Sequence, residues 1–74
     1  MEIDGIKLKK LILNRYGNKS IVISIDVFSD EMKVSPTTVY RWIGNKTSIS
    51  FKTYTKLCKV LKIETDELLI HDTH

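Results

Sequence analysis

Cysteine occurs once in this chain of 74 residues, at Cys58, and proline once, at Pro36. No apolar run approaches the roughly 20 residues that a membrane-crossing helix needs. A single cysteine cannot close an internal disulfide, and without a cluster of partners it makes a poor metal site. Cys58 reads as a small apolar filler, from its spacing to Leu57 and Leu61, and a reducing, cytoplasmic setting is expected. The opening "MEIDGIKLKK" sets acids before lysines and lacks the apolar stretch of a secretory signal. Repeats and low-complexity segments are missing too. Negative charge is scarce in the middle of the chain. All twelve Lys and Arg lie between Lys7 and Lys62, where only Asp26, Asp30 and Glu31 oppose them, a net of +9 against +3 for the whole. The other acids sit at the two ends. Locally concentrated Lys and Arg suit a polyanion; a solvated lysine face on "KTYTKLCKVLK" is the plainer alternative.

What remains is the composition of a small soluble domain, 42% apolar and 28% charged. Residues 1–74 are expected to form one domain, near the lower limit at which an apolar core sustains a fold without staples. Leu8, Leu11, Ile12 and Tyr16 recur at helical spacing, so a first helix is expected over Ile6 to Tyr16, ended by Gly17-Asn18. "KSIVISIDVF" is ambiguous. Its β-branched residues favour a strand; the preferred reading makes Ile21 to Ile23 a connector and Ser24 the cap of a helix over 25–33, with Phe28 and Met32 on one face. Asp26 and Asp30 then share another face, read as solvated rather than as a catalytic pair.

"VSPTTVYRW" carries the strongest local signal. A serine at the N-cap accepts first-turn amides, and proline suits the first helical position, where its missing N–H had no partner. Ser35 therefore starts a helix over about 36–43, stopped by Gly44-Asn45. Val39 and Trp42 are its inward residues, since an exposed indole would leave a small domain short of apolar area. A further helix is expected over Phe51 to Leu61, with Phe51, Tyr54, Leu57, Cys58 and Leu61 on one side. Thr65 can cap a last short helix, "DELLI", and residues 71–74 read as a flexible tail. His71 and His74 there are a tail rather than a metal site.

Two helices joined at Lys33 to Ser35 make a helix-turn-helix. From about Leu8 to Leu69 the chain resembles the phage Cro and repressor type (Xre-like) family of helix-turn-helix DNA-binding regulators. The family pattern "LA..LGVS..TVSRWERG", then a polar link, then "LA.ALGVS.DELL", is matched by "FSDEMKVSPTTVYRWIGN" and "LCKVLKIETDELL". The resemblance implies an all-α, five-helix, lambda-repressor-like bundle. It also implies a transcriptional regulator bound to double-stranded DNA as a homodimer on a pseudo-palindrome. The sequence departs from the pattern in three places. Ile25 stands where the family commonly has a phosphate-binding Gln. Ile43 replaces an acidic residue that usually pairs with an arginine of the first helix, so an apolar contact with Ile12 or Leu13 is inferred in its place. The link between the first two helices is longer by about five residues.

By resemblance, the start of the recognition helix enters the major groove and sets Pro36, Thr37, Thr38 and Arg41 near base edges. Arg41 can bond a guanine bidentately, and the threonines offer a hydroxyl and a methyl. DNA-backbone contacts are expected from Ser35, Tyr40, Lys46, Thr47 and Ser48, with Lys19 and Lys33 as contributors; Tyr40 could equally be a surface ring. No cofactor, small-molecule substrate or membrane is implied, and no nucleophile with a partner base or metal-ligand spacing suggests an enzyme. A small phage or mobile-element repressor is the first reading. The second is a protein-interaction module, an antirepressor or assembly factor, that kept the fold without specific DNA binding.

Overall fold

Each helix begins one residue after a short polar side chain that accepts a hydrogen bond from its first turn. The computed structural model describes residues 2–17, 20–44, 47–65 and 68. Asp4 caps α1 (Gly5–Arg15), its Oδ1 accepting from the amides of Ile6 at 3.1 Å and Lys7 at 3.2 Å. Ser20 caps α2 (Ile21–Met32) through the Ile23 amide, and Ser35 caps α3 (Pro36–Gly44) through the Thr38 amide at 3.3 Å. Ser50 caps α4 (Phe51–Leu61) through the Thr53 amide at 3.2 Å. Such caps satisfy first-turn donors that have no partner inside the helix, each contributing about 1 kcal/mol.

The start of α2 corrects the sequence-based expectation. Ser24 is not a cap; it is buried one turn inside the helix, and Ile21 to Ile23 are helical rather than a connector or a strand. The inward positions, Ile21, Ser24, Ile25, Phe28, Ser29 and Met32, keep three- and four-residue spacing throughout. That spacing outweighs the strand preference of the β-branched residues, because burial of a continuous stripe contributes more than propensity removes. α2 therefore starts four residues ahead of the expected helix, at Ile21 rather than Ile25.

Two short strands, unforeseen in the sequence, pair antiparallel: β1 (Glu2–Ile3) and β2 (Thr47–Ser48), with Glu2 opposite Ser48 and Ile3 opposite Thr47. Ile3 is fully buried, and the Asp4 amide donates to the Leu68 carbonyl at 2.9 Å. The first residues of the chain are therefore held by both the segment after α3 and the residue near the C-terminal end. Four helices lie among the described residues. The expected fifth, "DELLI", and the tail 71–74 lie outside them except for Leu68, which is buried.

The core joins Leu8 and Ile12 of α1, Ile25, Phe28 and Met32 of α2, Val39 and Trp42 of α3, and Tyr54, Leu57, Cys58 and Leu61 of α4. Cys58 fills core space as its spacing implied. Phe51 does not: it is the first residue of α4 and stands out in solvent. Among the described residues no helix is long and apolar enough to cross a membrane.

Where α1 ends, Tyr16 bridges to α2. Its ring packs 6.4 Å from that of Phe28, centroid to centroid, the Arg15 guanidinium lies over it, and its hydroxyl donates to a Glu31 carboxylate oxygen at 2.9 Å. Burial, and then the bond to Glu31, push the Tyr16 phenol up to about 12. A group raised in the folded state supports folding below its unfolded value, near 10, and withdraws that support as pH climbs to 12. Tyr16→Phe is expected to melt lower than wild type at neutral pH, by the loss of one hydrogen bond worth about 1 kcal/mol. The gap between the two should then narrow from pH 10 upward, as read by circular dichroism melts; a constant gap would contradict the coupling.

Candidate nucleic-acid interface

The turn between α2 and α3 is built from a left-handed residue. Lys33 takes φ 59° and ψ 43°, its amide donating to the Asp30 carbonyl at 3.1 Å, while the Val34 amide donates to that of Ser29 at 3.0 Å. This closes α2 with the paired bonds of a Schellman motif, and Val34 tucks onto the core. The same device ends α4, where Lys62 takes φ 57° and the Ile63 amide donates to Cys58 at 3.0 Å. A lysine there costs roughly 1–2 kcal/mol that glycine would not. The turn leaves only Val34 and Ser35 before α3.

Ser35 is the cap first of all: besides the Thr38 amide, its Oγ lies 3.1 Å from the Thr38 hydroxyl. At 100° per residue, Val39 and Trp42 share the buried side of α3, and Pro36, Thr37, Tyr40, Arg41 and Gly44 form one continuous exposed side. Thr38 sits at its edge, half-buried, with its hydroxyl engaged by the cap. Tyr40, 42% exposed, stands in the middle of that side rather than at its margin. Sequence reasoning set it apart as a backbone contact, although the wheel alone already placed it between Pro36 and Gly44. Gly44 is the last helical residue of α3 and keeps a negative-φ conformation, so the expected stop falls at Asn45, outside the described residues.

Of the expected backbone contacts, Ser48 is exposed on β2 and Lys33 is exposed at the turn. Thr47 is held by pairing with Ile3. Lys19 and Lys46 lie outside the described residues. The structure thus brings Ser35, Pro36, Thr37, Tyr40 and Arg41 together on one helix, with Lys33 just ahead of it. Among the described residues no group of three or more His, Cys, Asp or Glu is placed to hold a metal ion.

A helix-turn-helix family model matches residues 23–68, more than half of the chain and the whole of the span from α2 through α4 but for the first two residues of α2. The chain belongs to the Cro and repressor type, Xre-like helix-turn-helix family. That family is one of DNA-binding transcriptional regulators. No curated protein and no solved structure compared with the chain matches it. The match begins inside α2, so β1, α1 and the first two residues of α2 lie outside it, where the resemblance read from the sequence reaches back to Leu8. Ile25, in place of the family's Gln, is fully buried a turn inside α2. It is a core residue, and the start of the helix lies four residues ahead of it, at Ile21.

α3 is set by a close approach. A Cβ on Gly5 would lie 2.7 Å from the Trp42 carbonyl oxygen and 3.0 Å from the Ile43 carbonyl carbon and oxygen. The front of α1, where backbone N–H groups face outward, thus presses on the end of α3, where carbonyls lack helical partners. Ile43 is half-buried against the core. Gly5→Ala is expected to lower stability by about 1–3 kcal/mol through overpacking, although alanine is the better helix former. Gly44→Ala has open space around it and should be neutral or mildly stabilising. Chemical denaturation of the two variants checks the pair; equal effects would contradict the close approach.

Proposed function

We propose that this regulator reads DNA in the major groove through the exposed side of α3, and that it represses by occupying an operator. The observation that carries the reading is the division of α3. Val39 and Trp42 lock one side into the core, while the other presents Pro36, Thr37, Tyr40 and Arg41 within the family-matched segment. Arg41 supplies the bidentate contact to guanine, and Thr37 offers a hydroxyl and a methyl. Pro36 gives van der Waals contact, and Thr38 reaches a base edge from the rim of the same side. Tyr40, between Pro36 and Gly44 on that side, faces bases or the adjoining phosphate. Ser35, the Thr37 amide, Lys33, Lys46, Thr47, Ser48 and Lys19 hold the DNA backbone, as first-turn amides and lysines do. One such helix reads only a few base pairs, so a two-fold dimer on half-sites about 34 Å apart is proposed. A phage or mobile-element repressor is the kind of regulator proposed.

The segment "IVISI" is helical, so it offers no strand to pair across a two-fold axis. The second reading, a protein-interaction module, draws support from the exposed Val22, Ile23 and Val27 of α2. Fluorescence anisotropy against duplexes enriched by selection separates the two. Wild type should bind a two-fold motif with affinity that falls steeply with salt. Arg41→Ala should lose about 1–3 kcal/mol and its guanine preference. Weak binding without a motif, equal in both proteins, would favour the interaction module.

A further inference from the structure

The three acids of the basic middle, Asp26, Asp30 and Glu31, all fall on α2, and they share its outward side with apolar residues. At 100° per residue, Val22, Asp26, Asp30, Ile23 and Val27 make one continuous stripe. All five are exposed, Ile23 to 62% and Val22 to 54%. Glu31 borders the stripe, occupied by the Tyr16 hydroxyl. The other side of α2 is buried against α1, α3 and α4. Carboxylates repel phosphate, so DNA does not cover this stripe, and branched side chains clustered in water are the mark of a protein contact.

α4 carries the complement. On the same wheel, Phe51, Thr55, Lys59, Lys52 and Lys56 form its outward stripe, with Phe51 68% exposed, and they line a concavity of about 450 Å³. One stripe sets branched apolar groups beside two aspartates; the other sets an aromatic ring beside three lysines. α2 and α4 pack on each other through their inner sides, so the two outward stripes face away from that contact.

We propose that the α2 stripe of one copy docks on the α4 stripe of a second copy of this chain. Asp26 and Asp30 then meet Lys52, Lys56 and Lys59, and Ile23 and Val27 cover the Phe51 ring. Because the two patches differ, the contact is heterologous, and copies join head to tail. A single helix face on each side falls short of the about 800 Å² per partner of a standard interface. The contact is therefore weak between free copies and takes hold where copies are held close together. It stands apart from DNA reading, and its test uses no DNA.

Sedimentation of the full chain from micromolar to millimolar concentration, with Ile23→Lys and Phe51→Glu, tests it. Both residues are exposed, and a circular dichroism melt of each variant verifies the fold. Wild type is expected to associate with concentration, less so in high salt. Each variant alone loses that association. Their equimolar mixture regains it as a one-to-one complex, since Ile23→Lys keeps an intact α4 stripe and Phe51→Glu an intact α2 stripe. Association absent from wild type, unmoved by either substitution, kept by Phe51→Glu alone, or not regained on mixing would overturn the proposal.

Discussion

The side that α3 presents outward depends on how that helix is fixed, and that rests on a contact with no room for a methyl group. Gly5, the first residue of α1, lies so near the Trp42 and Ile43 carbonyls that a side chain there would push α3 outward. Val39 and Trp42 enter the core beneath it, and the Ser35 cap and the left-handed Lys33 set the other end. With both ends and one side held, the rotation of α3 about its axis is settled, and with it the residues that face out. β1 adds a second restraint, because Ile3 is buried and pairs with the segment just past α3. A small core can thus hold the exposed side of α3 in one orientation.

Much of this was legible in the residues. The Ser-Pro start and the spacing of Val39 and Trp42 placed α3 and its outward side before any coordinates. The ends of α4 were read correctly from Phe51 and Leu61. What escaped has physical causes. The run Ile21 to Ile25 satisfies a strand's alternation and a helix's periodicity at once, and only tertiary burial decides between them. Ser20 and Ser24 are equally good caps in isolation. Phe51 looked inward because it is aromatic, yet a residue at the first position of a helix can stand clear of the core. Two-residue strands leave no periodic trace at all, so the ribbon that ties the chain's start to Thr47 was invisible.

The charge pattern acquires a location in the fold. The +9 middle is not uniformly basic: its three acids are gathered on α2, while α4 collects lysines outward and α3 presents Arg41. Ile25 is buried while Val22, Ile23 and Val27 are exposed, so the front half of α2 is divided between core and exposed apolar surface. α3, inside the family-matched segment, leaves one whole side exposed.

The most direct measurement is an amide-resolved NMR titration of the isotopically labelled protein with a short duplex carrying its selected site. The account predicts that the largest shifts cluster at Ser35, Thr37, Tyr40 and Arg41, with the turn at Lys33 following, and that those at Val22, Ile23, Asp26 and Asp30 are smaller. Shifts concentrated on the α2 stripe, with α3 unmoved, would contradict it.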